Sequence, residues 1–488
     1  MARIAVIGAG MGAMAAAARL AVAGHTVTVY ERGETYGGGV GRFARDGFVF
    51  DTGPQLLHLP AVYRDLFVKT GKESLEQSVG LTQVDPASAH LFADGTAFAL
   101  PNASRAGVVR ALDEAVGAGA GERWSELVNR AREAWDATRR PLLEEPLSPD
   151  PAERAALARD PYPARRGLFR RSAPATLAAV ADRELRDPRL AALLESHALA
   201  HGLDPRTAPA SATVLPYLEQ TFGSWYVAGG LRGLADALHR RCVARRVEFR
   251  FGAEVAGVVE KDGRAAGVRL ADGTVEETAF VVTGAPDPAA APLSPGRFTV
   301  LLALRGGRPA GVAHRTVVHA PSRERELAGV FDAAGPGSGY VPTVTVLRPD
   351  DPAVRPDDGH EAVTLTATVA PHGRVDWGDA GVVAAFADRM LSAAEAAVPG
   401  VAERVVWREV RTPSDTAVVT GAPGGGVPAP ALSGGGGAFL FPPNSGELTG
   451  LYRVGGFAHP GGGLAHAGMS GALVAGLIVE GEGFRGSQ

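Results

Sequence analysis

Residues 3–31 carry the pattern that most constrains how this chain can fold. In order, they predict a strand at 3–7, glycines at 8, 10 and 12, an alanine-rich helix at 13–23 closed by Gly24, a strand at 26–30, and Glu31. A strand, a glycine turn, a helix, a second strand and an acid in this order are typical of the βαβ unit that binds a dinucleotide.

The glycines and the acid each have a chemical reason. Glycine lets the backbone turn tightly and approach a diphosphate, whose charge is stabilised at the N-terminus of the following helix. The third position of the fingerprint is Ala13, which its G-x-G-x-x-A form tolerates. Glu31, 21 residues after Gly10, is placed to accept hydrogen bonds from a ribose diol and argues against a 2′-phosphate. The predicted ligand is therefore FAD or NAD.

Charge and cysteine usage exclude several classes of protein. A formal net charge of −4 over 488 residues gives no field that would attract nucleic acid. The single cysteine, Cys242, excludes an internal disulfide framework and a thiolate-rich metal site, and it fits a reducing cytoplasm. We expect a cytoplasmic protein with no metal site and no nucleic-acid partner.

Two apolar segments resemble export or membrane signals without fitting either. Near the N-terminus, glycines interrupt the run at 4–18 at spacings for which a signal peptide has no use. The segment 454–479 has no formal charge, but glycines, Pro460 and two histidines break it, unlike a membrane-spanning helix. We predict no transmembrane segment, and peripheral contact with a membrane stays open.

The rest of the chain predicts a helical region and a second sheet. Residues 103–218 are rich in Ala, Leu, Arg and Glu with proline breaks, which indicates an inserted helical subdomain. Asp-Gly pairs at 262–263 and 272–273 predict a small antiparallel meander. Five segments alternate like strands of a mainly antiparallel sheet that would line a substrate chamber: 298–304, 314–319, 341–347, 362–370 and 404–410.

Two irregular stretches each allow two interpretations. Residues 421–437, rich in glycine and proline, are either a flexible lid or backbone laid along a ligand. Within the helical region, a cluster of arginines interleaves with apolar residues and fits either an anionic membrane surface or a solvated helix. This cluster consists of Arg165, Arg166, Leu168, Phe169, Arg170 and Arg171.

Several motifs together carry a family resemblance over nearly the whole chain. They are Val-Ile-Gly-Ala-Gly-Met-Gly at 6–12 with Glu31-Arg32, Gly37-Gly38, Gly-Phe-Val-Phe-Asp-Thr-Gly-Pro at 47–54, Trp-Tyr-Val-Ala-Gly-Gly-Leu at 225–231, and Leu-Tyr-Arg-Val-Gly-Gly-Phe-Ala-His-Pro-Gly-Gly-Gly at 451–463. With them the chain resembles the FAD-dependent phytoene (carotenoid) desaturase-like oxidoreductases of the glutathione reductase and amine oxidase superfamily.

The resemblance implies an α/β fold with two interleaved domains. A Rossmann-like FAD-binding domain of the glutathione reductase type would be built from residues 1–100, 225–290 and 411–488. An interleaved α+β substrate domain would supply the mainly antiparallel sheet at 291–410 and a helical, substrate- or membrane-facing insertion at 101–224.

The resemblance also implies the cofactor contacts. They are Gly8, Ala9, Gly10, Met11 and Gly12 at the FAD diphosphate, Glu31 with Arg32 at the adenosine ribose, Gly38 and Gly39 beside them, Gly53 and Pro54 by the flavin ring, Val255 at the adenine, Gly455 and Gly456 by the ribityl phosphate, and Gly463, Leu464 and Ala465 below the pyrimidine ring. The family usually has Arg or Lys directly after its Gly-Gly pair. This chain has Gly39 there, and Arg42 is the candidate for the same phosphate contact.

The implied reaction is the desaturation of a long hydrophobic polyene or terpenoid, such as a carotenoid. Hydride would pass to flavin N5 while the neighbouring carbon loses a proton, and oxygen or a quinone would reoxidise the flavin. His459 is the best candidate for a polar catalytic group by the flavin, or else a structural histidine beside the cofactor. FAD would be the only tightly bound cofactor, because a second full glycine fingerprint is absent from the sequence.

Three other functions remain as alternatives. The enzyme could be a tailoring oxidase of another hydrophobic natural product, since pocket shape alone separates that reaction from desaturation. An amine oxidase is less favoured: that branch often places a lysine near flavin N5, and lysine occurs here only at Lys69, Lys72 and Lys261. A non-catalytic FAD-binding protein has little support, because the glycine motifs on both sides of the flavin are intact.

Overall fold

The computed structural model describes residues 1–163, 175–287, 293–332, 339–481 and 483–486. Within these ranges the strands are β1 (Arg3–Ile7), β2 (Thr26–Tyr30), β3 (Arg42–Arg45), β4 (Phe48–Asp51), β5 (Leu57–His58), β6 (Leu81–Gln83), β7 (Ser88–Leu91), β8 (Ala97–Leu100), β9 (Ser224–Val227), β10 (Glu248–Arg250), β11 (Val255–Lys261), β12 (Arg264–Leu270), β13 (Val275–Glu277), β14 (Phe280–Thr283), β15 (Gly296–Arg305), β16 (Arg315–Val318), β17 (Val344–Leu347), β18 (His360–Val369), β19 (Val405–Arg411) and β20 (Leu451–Arg453).

The helices connect and cover these strands. They are α1 (Met11–Val22), α2 (Ala61–Gly71), α3 (Arg105–Val116), α4 (Ala120–Arg139), α5 (Pro151–Leu157), α6 (Leu177–Val180), α7 (Pro188–Ala200), α8 (Val214–Phe222), α9 (Arg232–Ala244), α10 (Arg323–Phe331), α11 (Ala380–Ala394), α12 (Val401–Arg404), α13 (Pro413–Thr420) and α14 (Leu464–Glu480). Two single π-helical turns, at Arg140–Glu144 and Ala181–Leu185, follow α4 and α6 directly.

The first sheet is parallel and has the order β10-β2-β1-β14-β20. Its strands come from chain segments more than 200 residues apart, and β1 at the centre pairs with β2 on one side and β14 on the other. The apolar residues of β1, Ile4 to Val6, are buried, as a strand covered on both faces requires. Ligands bind such sheets at the carboxyl end of the strand where the order reverses, which here is the end of β1.

The second sheet has the order β19-β15-β18-β17-β16-β7-β8 and is antiparallel except for the pair β16-β7. All five segments predicted as its strands form strands in it, so that prediction is confirmed. The expected domain boundary at residue 100 differs, because β7 and β8 lie in this sheet and not with β1. The pairing of β7 with β16, more than 200 residues later, is a contact that local sequence patterns do not reveal.

The predicted helical region contains α3 to α8. Its core is formed by long apolar side chains, with Trp124 of α4 among the most deeply buried. The arginine cluster at 165–171 lies outside the described residues, so the two interpretations of that cluster stay open. None of the described helices is both long enough and apolar enough to cross a membrane.

A buried ion pair joins the helical region to the second sheet. Glu219 of α8 accepts hydrogen bonds from two guanidinium nitrogens of Arg315, the first residue of β16. Burial opposes ionisation of Glu219, but Arg315 and the nearby His197 and His58 outweigh it and hold the pKa of the carboxyl at about 2. The pair fixes how α8 sits on the sheet, next to the cavity described below.

Three smaller sheets complete the framework of the described residues, and one of them is the two-stranded pair β3-β4. The predicted meander is present as β11-β12-β13, with turns at the two Asp-Gly pairs. Backbone hydrogen bonds join the chain before it to the end of β2, since Ala253 N–H donates to Glu31 O. Strands β5, β9 and β6 form a three-stranded sheet next to α2.

Candidate functional site

The turn after β1 has the geometry of a dinucleotide-binding loop. Gly8 adopts a φ of +87°, and helix α1 begins at Met11 with no side-chain cap and no acid in its first turn. A Cβ added at Gly8 or at Gly10 would meet no atom within 4 Å, so the turn leaves open space beside its backbone. An uncapped helix N-terminus next to open space is able to bind an anion.

Glu31 lies at this turn, as predicted. Its carboxylate accepts a 2.7 Å hydrogen bond from Ala9 N–H and a 2.8 Å hydrogen bond from Gly33 N–H. These bonds hold the acid at the carboxyl ends of β1 and β2 while leaving each oxygen a further lone pair. A carboxylate fixed in this way is suited to accept hydrogen bonds from a ribose diol.

The second glycine cluster packs directly on the first. Gly37 N–H donates to Ala9 O, and a Cβ on Gly38 would lie 3.1 Å from the Cα of Gly10. A Cβ on Gly53 would lie 1.8 Å from the carbonyl oxygen of Gly39, so only glycine fits there. These glycines therefore pack residues 37–39 on the turn after β1, and Gly53 on residues 39–40.

Helix α14 lies against α1, and the two run in the same direction. A Cβ on Gly12 would lie 3.0 Å from Ala467 O and from Gly455 N, and a Cβ on Gly471 would lie 2.6 Å from Gly12 O. One turn further along α1, the amide nitrogen of Ala16 is 2.7 Å from the same Cβ position on Gly471. Close contact at these glycines sets both helix N-termini at the same edge of the first sheet.

The N-terminus of α14 also has no side-chain cap and no acid in its first turn. The helix begins at Leu464, so Leu464 and Ala465 belong to its first turn. Gly463, the residue before it, is exposed and has a φ of +103°. Tyr63 Oη of α2 donates to Leu464 O at 2.9 Å and fixes this turn in place.

A buried network supports the chain between β20 and α14. Ser470 Oγ accepts from Gly455 N–H at 3.1 Å, and Asn444 Nδ2 lies 2.7 Å from His459 O and 3.1 Å from Arg453 O. Two buried acceptors of this network, Asn444 Oδ1 and His459 Nδ1, have no hydrogen-bond partner among the described residues. Unpaired buried acceptors are costly. A ligand that carries hydroxyl or N–H donors, as FAD does, would relieve that cost.

His459 itself has a structural position. The side chain is fully buried, and its Nε2–H donates to Glu145 O at 2.9 Å. Burial lowers the pKa of its imidazole to about 4, so the ring is neutral and carries its proton on Nε2. These contacts favour the second interpretation of His459, that of a structural histidine beside the cofactor. Its single ring proton is already in a hydrogen bond and is not available to a substrate.

Three further residues were predicted to contact the cofactor, and each of them lies in a different environment. Arg32 extends away from the turn and donates to Val418 O at the end of α13, at 2.6 Å. Val255 begins β11 and packs in the same cluster as Tyr30, beside Glu31. Arg42 is exposed in the β3-β4 hairpin, opposite Asp51, and no described hydrogen bond links it to the glycine turn. The phosphate contact of Arg42 stays a prediction.

Asp51 is a structural residue that sequence reasoning missed. Its two carboxylate oxygens accept from Leu231 N–H and Arg232 N–H, so it caps helix α9 from a distant segment. Burial raises the pKa of Asp51 to about 6 in spite of these bonds. The position of Asp51 in this motif is accounted for by its capping of α9.

The glycine-rich stretch at 421–437 is packed backbone and not a free loop. Ala431 N–H donates to Pro460 O, and Gly462 N–H donates to Ala429 O. A Cβ on Gly462 would lie 1.7 Å from Pro428 O, and a Cβ on Gly456 would lie 2.6 Å from Pro428 Cγ. The stretch therefore covers residues 455–463, which lead into α14.

A cavity lined mainly by apolar side chains opens beside the first turn of α14. Its wall comes from α4, the π-helical turn, α8, the covering stretch and α14: Trp135, Thr138, Leu142, Leu143, Ser211, Val214, Leu215, Leu218, Pro430, Ala431, Leu432, Ser433 and His466. The three lysines of the chain are exposed and none lines this cavity. Among the described residues, no group of His, Cys, Asp or Glu could hold a metal ion.

The fold and these two helix ends define an α/β protein of the dinucleotide-binding class, with an apolar cavity beside one of the helix ends. The chain belongs to the family described as flavin containing amine oxidoreductase, whose model matches residues 14–478. It is therefore an FAD-dependent oxidoreductase. The open backbone of the turn, the fixed Glu31 and the unpaired buried acceptors fit that cofactor.

Individual relatives agree with this membership. The chain is 29% identical over 500 residues to 4,4'-diapolycopene oxygenase of Methylomonas sp, with 98% of each chain covered. It is 29% identical over 524 residues to a neurosporene-forming phytoene desaturase of Rhodobacter capsulatus, covering 98% of this chain and 94% of that one. A solved oxidoreductase from Methanosarcina mazei shares the fold, with a TM-score of 0.65 at 17% identity, covering 97% of this chain and 99% of that one.

Alanine substitutions at three glycines separate cofactor binding from folding. Gly10→Ala finds free space and an allowed φ of −71°, so it should leave the unfolding midpoint unchanged. Its methyl group enters the space beside the turn and should weaken FAD binding by about tenfold or more, equal to about 1.4 kcal/mol. Gly471→Ala instead presses on the backbone of α1 and should lower the free energy of unfolding by about 1–3 kcal/mol.

The matched control is Gly257→Ala in β11, where a Cβ also meets nothing within 4 Å. FAD titration and urea unfolding of the three variants should show an effect on binding, an effect on stability, and neither effect, respectively. Unchanged FAD affinity in Gly10→Ala would contradict the placement of the diphosphate at this turn.

Buried histidines should make the protein sensitive to acid. Burial lowers the pKa of five histidines, to about 3 for His201 and His319 and to about 4 for His314, His459 and His466. Between the unfolded value of about 6.5 and these lower values, the unfolded chain binds more protons than the native state. Stability is therefore fully present above about pH 6.5 and is lost as the pH falls toward 4.

Each such histidine should remove up to about 2 kcal/mol of unfolding free energy between pH 7 and pH 5. Three buried carboxyls with raised pKa values, Asp51 at about 6 and Glu195 and Glu326 at about 7, oppose the trend but are fewer. Urea unfolding at pH 7 and pH 5 should show a clear drop of the midpoint. Equal midpoints would mean that these rings are hydrated in the native state.

Proposed function

We propose that this enzyme desaturates a long apolar polyene of the carotenoid class. The observation that carries the proposal is the apolar cavity beside the N-terminus of α14, because it brings a hydrocarbon segment next to the predicted position of the flavin ring. The desaturase of Rhodobacter capsulatus and the oxygenase of Methylomonas sp, both similar along nearly their whole length, support a polyene substrate.

The chain's own residues would position the cofactor as follows. The N–H groups of residues 10–12 hold the diphosphate at the N-terminus of α1, Glu31 accepts from the ribose, and Val255 lies at the adenine. Gly53 and Pro54 pass the flavin ring, and Gly455 and Gly456 lie by the ribityl phosphate. The first turn of α14, with Gly463, Leu464 and Ala465, stabilises negative charge on the pyrimidine edge of the ring. When bound, FAD supplies the hydride acceptor.

The protein's other contribution is to exclude water and orient the substrate. Leu142, Leu143, Val214, Leu215 and Leu218 line part of the cavity wall, so an apolar chain gains about 25 cal/mol for each Å² of surface that it buries there. The π-helical turn that contributes the first two of these leucines follows α4 without a break. Such turns often occur at functional sites. We assign substrate binding to residues 101–224 and to the second sheet. The proposed electron acceptor is oxygen or a quinone.

Oxygenation of a polyene is the second candidate, because one of the relatives is named as an oxygenase. Both reactions need the same cavity, so the product distinguishes them. Amine oxidation is less favoured here, since the three lysines are exposed and none lines the cavity.

The deciding experiment incubates the FAD-loaded protein with acyclic polyenes of thirty and forty carbons in liposomes, with oxygen or a quinone as acceptor. Desaturation should give products that have lost pairs of hydrogens and absorb at longer wavelength, at a rate that saturates with substrate. Gly257→Ala should behave as the wild type, and Gly10→Ala should be slow unless FAD is in large excess.

Products that have gained oxygen would support the second candidate. A protein that keeps its flavin but forms neither kind of product from any acyclic polyene would overturn the proposal. Peroxide release with amines would then be the next assay.

A further inference from the structure

Among the polar side chains of the cavity wall, most are already committed to backbone. Thr138 Oγ1 donates to Ala134 O, Ser211 Oγ donates to Ser433 O, and Ser433 Oγ lies within hydrogen-bond distance of Leu157 O and Arg159 O. Their hydroxyl protons are therefore used within the wall and are not directed at a ligand.

Two polar side chains of the wall remain, Trp135 and His466. Neither forms a side-chain hydrogen bond to any other residue that the structure describes. The indole N–H of Trp135 can only donate, whereas a neutral imidazole has one nitrogen that accepts a proton. His466 is therefore the one side chain of the wall that can act as a base.

The position of His466 is fixed. It is the third residue of α14, and its Nδ1 lies 3.4 Å from where a Cβ on Gly463 would be, so the ring folds back over the start of the helix. Tyr63 holds the same turn through Leu464 O. The imidazole thus lies between the apolar cavity and the helix end that we assign to the flavin.

The electrostatics of this place keep the ring neutral. Burial lowers the pKa of His466 to about 4, and the nearby His459 lowers it further. The N-terminus of α14 also disfavours a positive charge on the ring. At neutral pH the ring is therefore unprotonated and one of its nitrogens has a free lone pair, and because its charged form is disfavoured a bound proton is released quickly.

An apolar polyene brings no base of its own, yet its desaturation must dispose of a proton. We propose that His466 is the catalytic base that takes this proton. The inference rests on the proposed function. One substrate carbon gives a hydride to the oxidised flavin, the adjacent carbon gives its proton to the free nitrogen of His466, and the remaining electron pair becomes the new C=C bond.

This assignment differs from the one that the sequence favoured. His459 lies seven residues earlier in a motif that resembles the family, but its Nε2–H is committed to Glu145 O and its ring does not line the cavity. His466 has the opposite properties, a ring free of described hydrogen bonds and a place in the cavity wall.

The test uses the FAD-loaded protein and three variants. His466→Gln keeps the size and polarity of the side chain but removes the base, and His466→Ala opens space for added imidazole. His360→Gln is the matched control, because His360 is the first residue of β18, outside the cavity wall, and its ring bonds Asp357 just before the strand. Thermal unfolding and FAD content establish that all three proteins are folded and loaded.

In anaerobic single-turnover experiments with polyene, His466→Gln should reduce its flavin about 10²-fold or more slowly than the wild type. His466→Ala should be similarly slow and should recover with added imidazole, whereas His360→Gln should match the wild type. A wild-type rate in His466→Gln, or no recovery of His466→Ala with imidazole, would overturn the assignment.

A second readout does not depend on turnover. In protein labelled with ¹⁵N-histidine, the ring resonance of His466 is identified as the one that is missing in His466→Gln. In the wild type, that resonance should shift when polyene is added, with or without FAD. Absence of that shift would also overturn the assignment. A wild-type protein that binds FAD but converts no polyene would overturn the proposed function, and this inference with it. An active wild type together with an equally active His466→Gln would overturn only the inference.

Discussion

The close contact between α1 and α14 is the constraint on which the rest of the site depends. The two helices are separated by more than 400 residues in the chain, and they touch through Gly12 and Gly471, where a single methyl group would meet backbone atoms. Because they run in the same direction, both present an uncapped positive end at the same edge of the first sheet. One such helix N-terminus can bind a diphosphate. Two of them can bind a ligand that carries a diphosphate in one part and an electron-accepting ring in another.

Local sequence patterns were sufficient for much of the fold. The strands β1 and β2 could be predicted because a buried parallel strand appears in the sequence as a short apolar run. The acid after them could be predicted because a glycine turn between a strand and a helix occurs in few structural contexts. The second sheet was predicted segment by segment, because period-two alternation marks strands such as β15 and β18. The same logic failed for the short strands β7 and β8, because the pairing of β7 with β16 could not be read from the residues of β7 itself.

The site was less predictable, because its polar chemistry is made by contacts between distant segments. Asp51 stands in a motif that suggests a cofactor contact, but its partners are the N–H groups of Leu231 and Arg232. Tyr63 and Asn444 stand in no motif, and their roles follow only from what they bond. The histidine in the most family-like motif is buried against a carbonyl, while His466 gained its position from helices that surround it. Which histidine is free depends on which donors and acceptors meet in three dimensions.

The arrangement separates two tasks. Backbone N–H groups and a fixed acid bind the cofactor, so glycines carry that task, and apolar side chains of the helical region bind the substrate. The boundary between them is the first turn of α14, which has the predicted flavin contact on one side and the cavity wall on the other.

The central claim is that the two parallel helix ends share one FAD molecule, and a crystal structure of the protein with FAD tests it most directly. Diphosphate oxygens should lie within hydrogen-bond distance of the N–H groups at the start of α1, and the pyrimidine edge of the flavin ring should lie at the first turn of α14. This placement would be contradicted by a flavin ring that is bound away from α14 and separated from the apolar cavity by the second sheet.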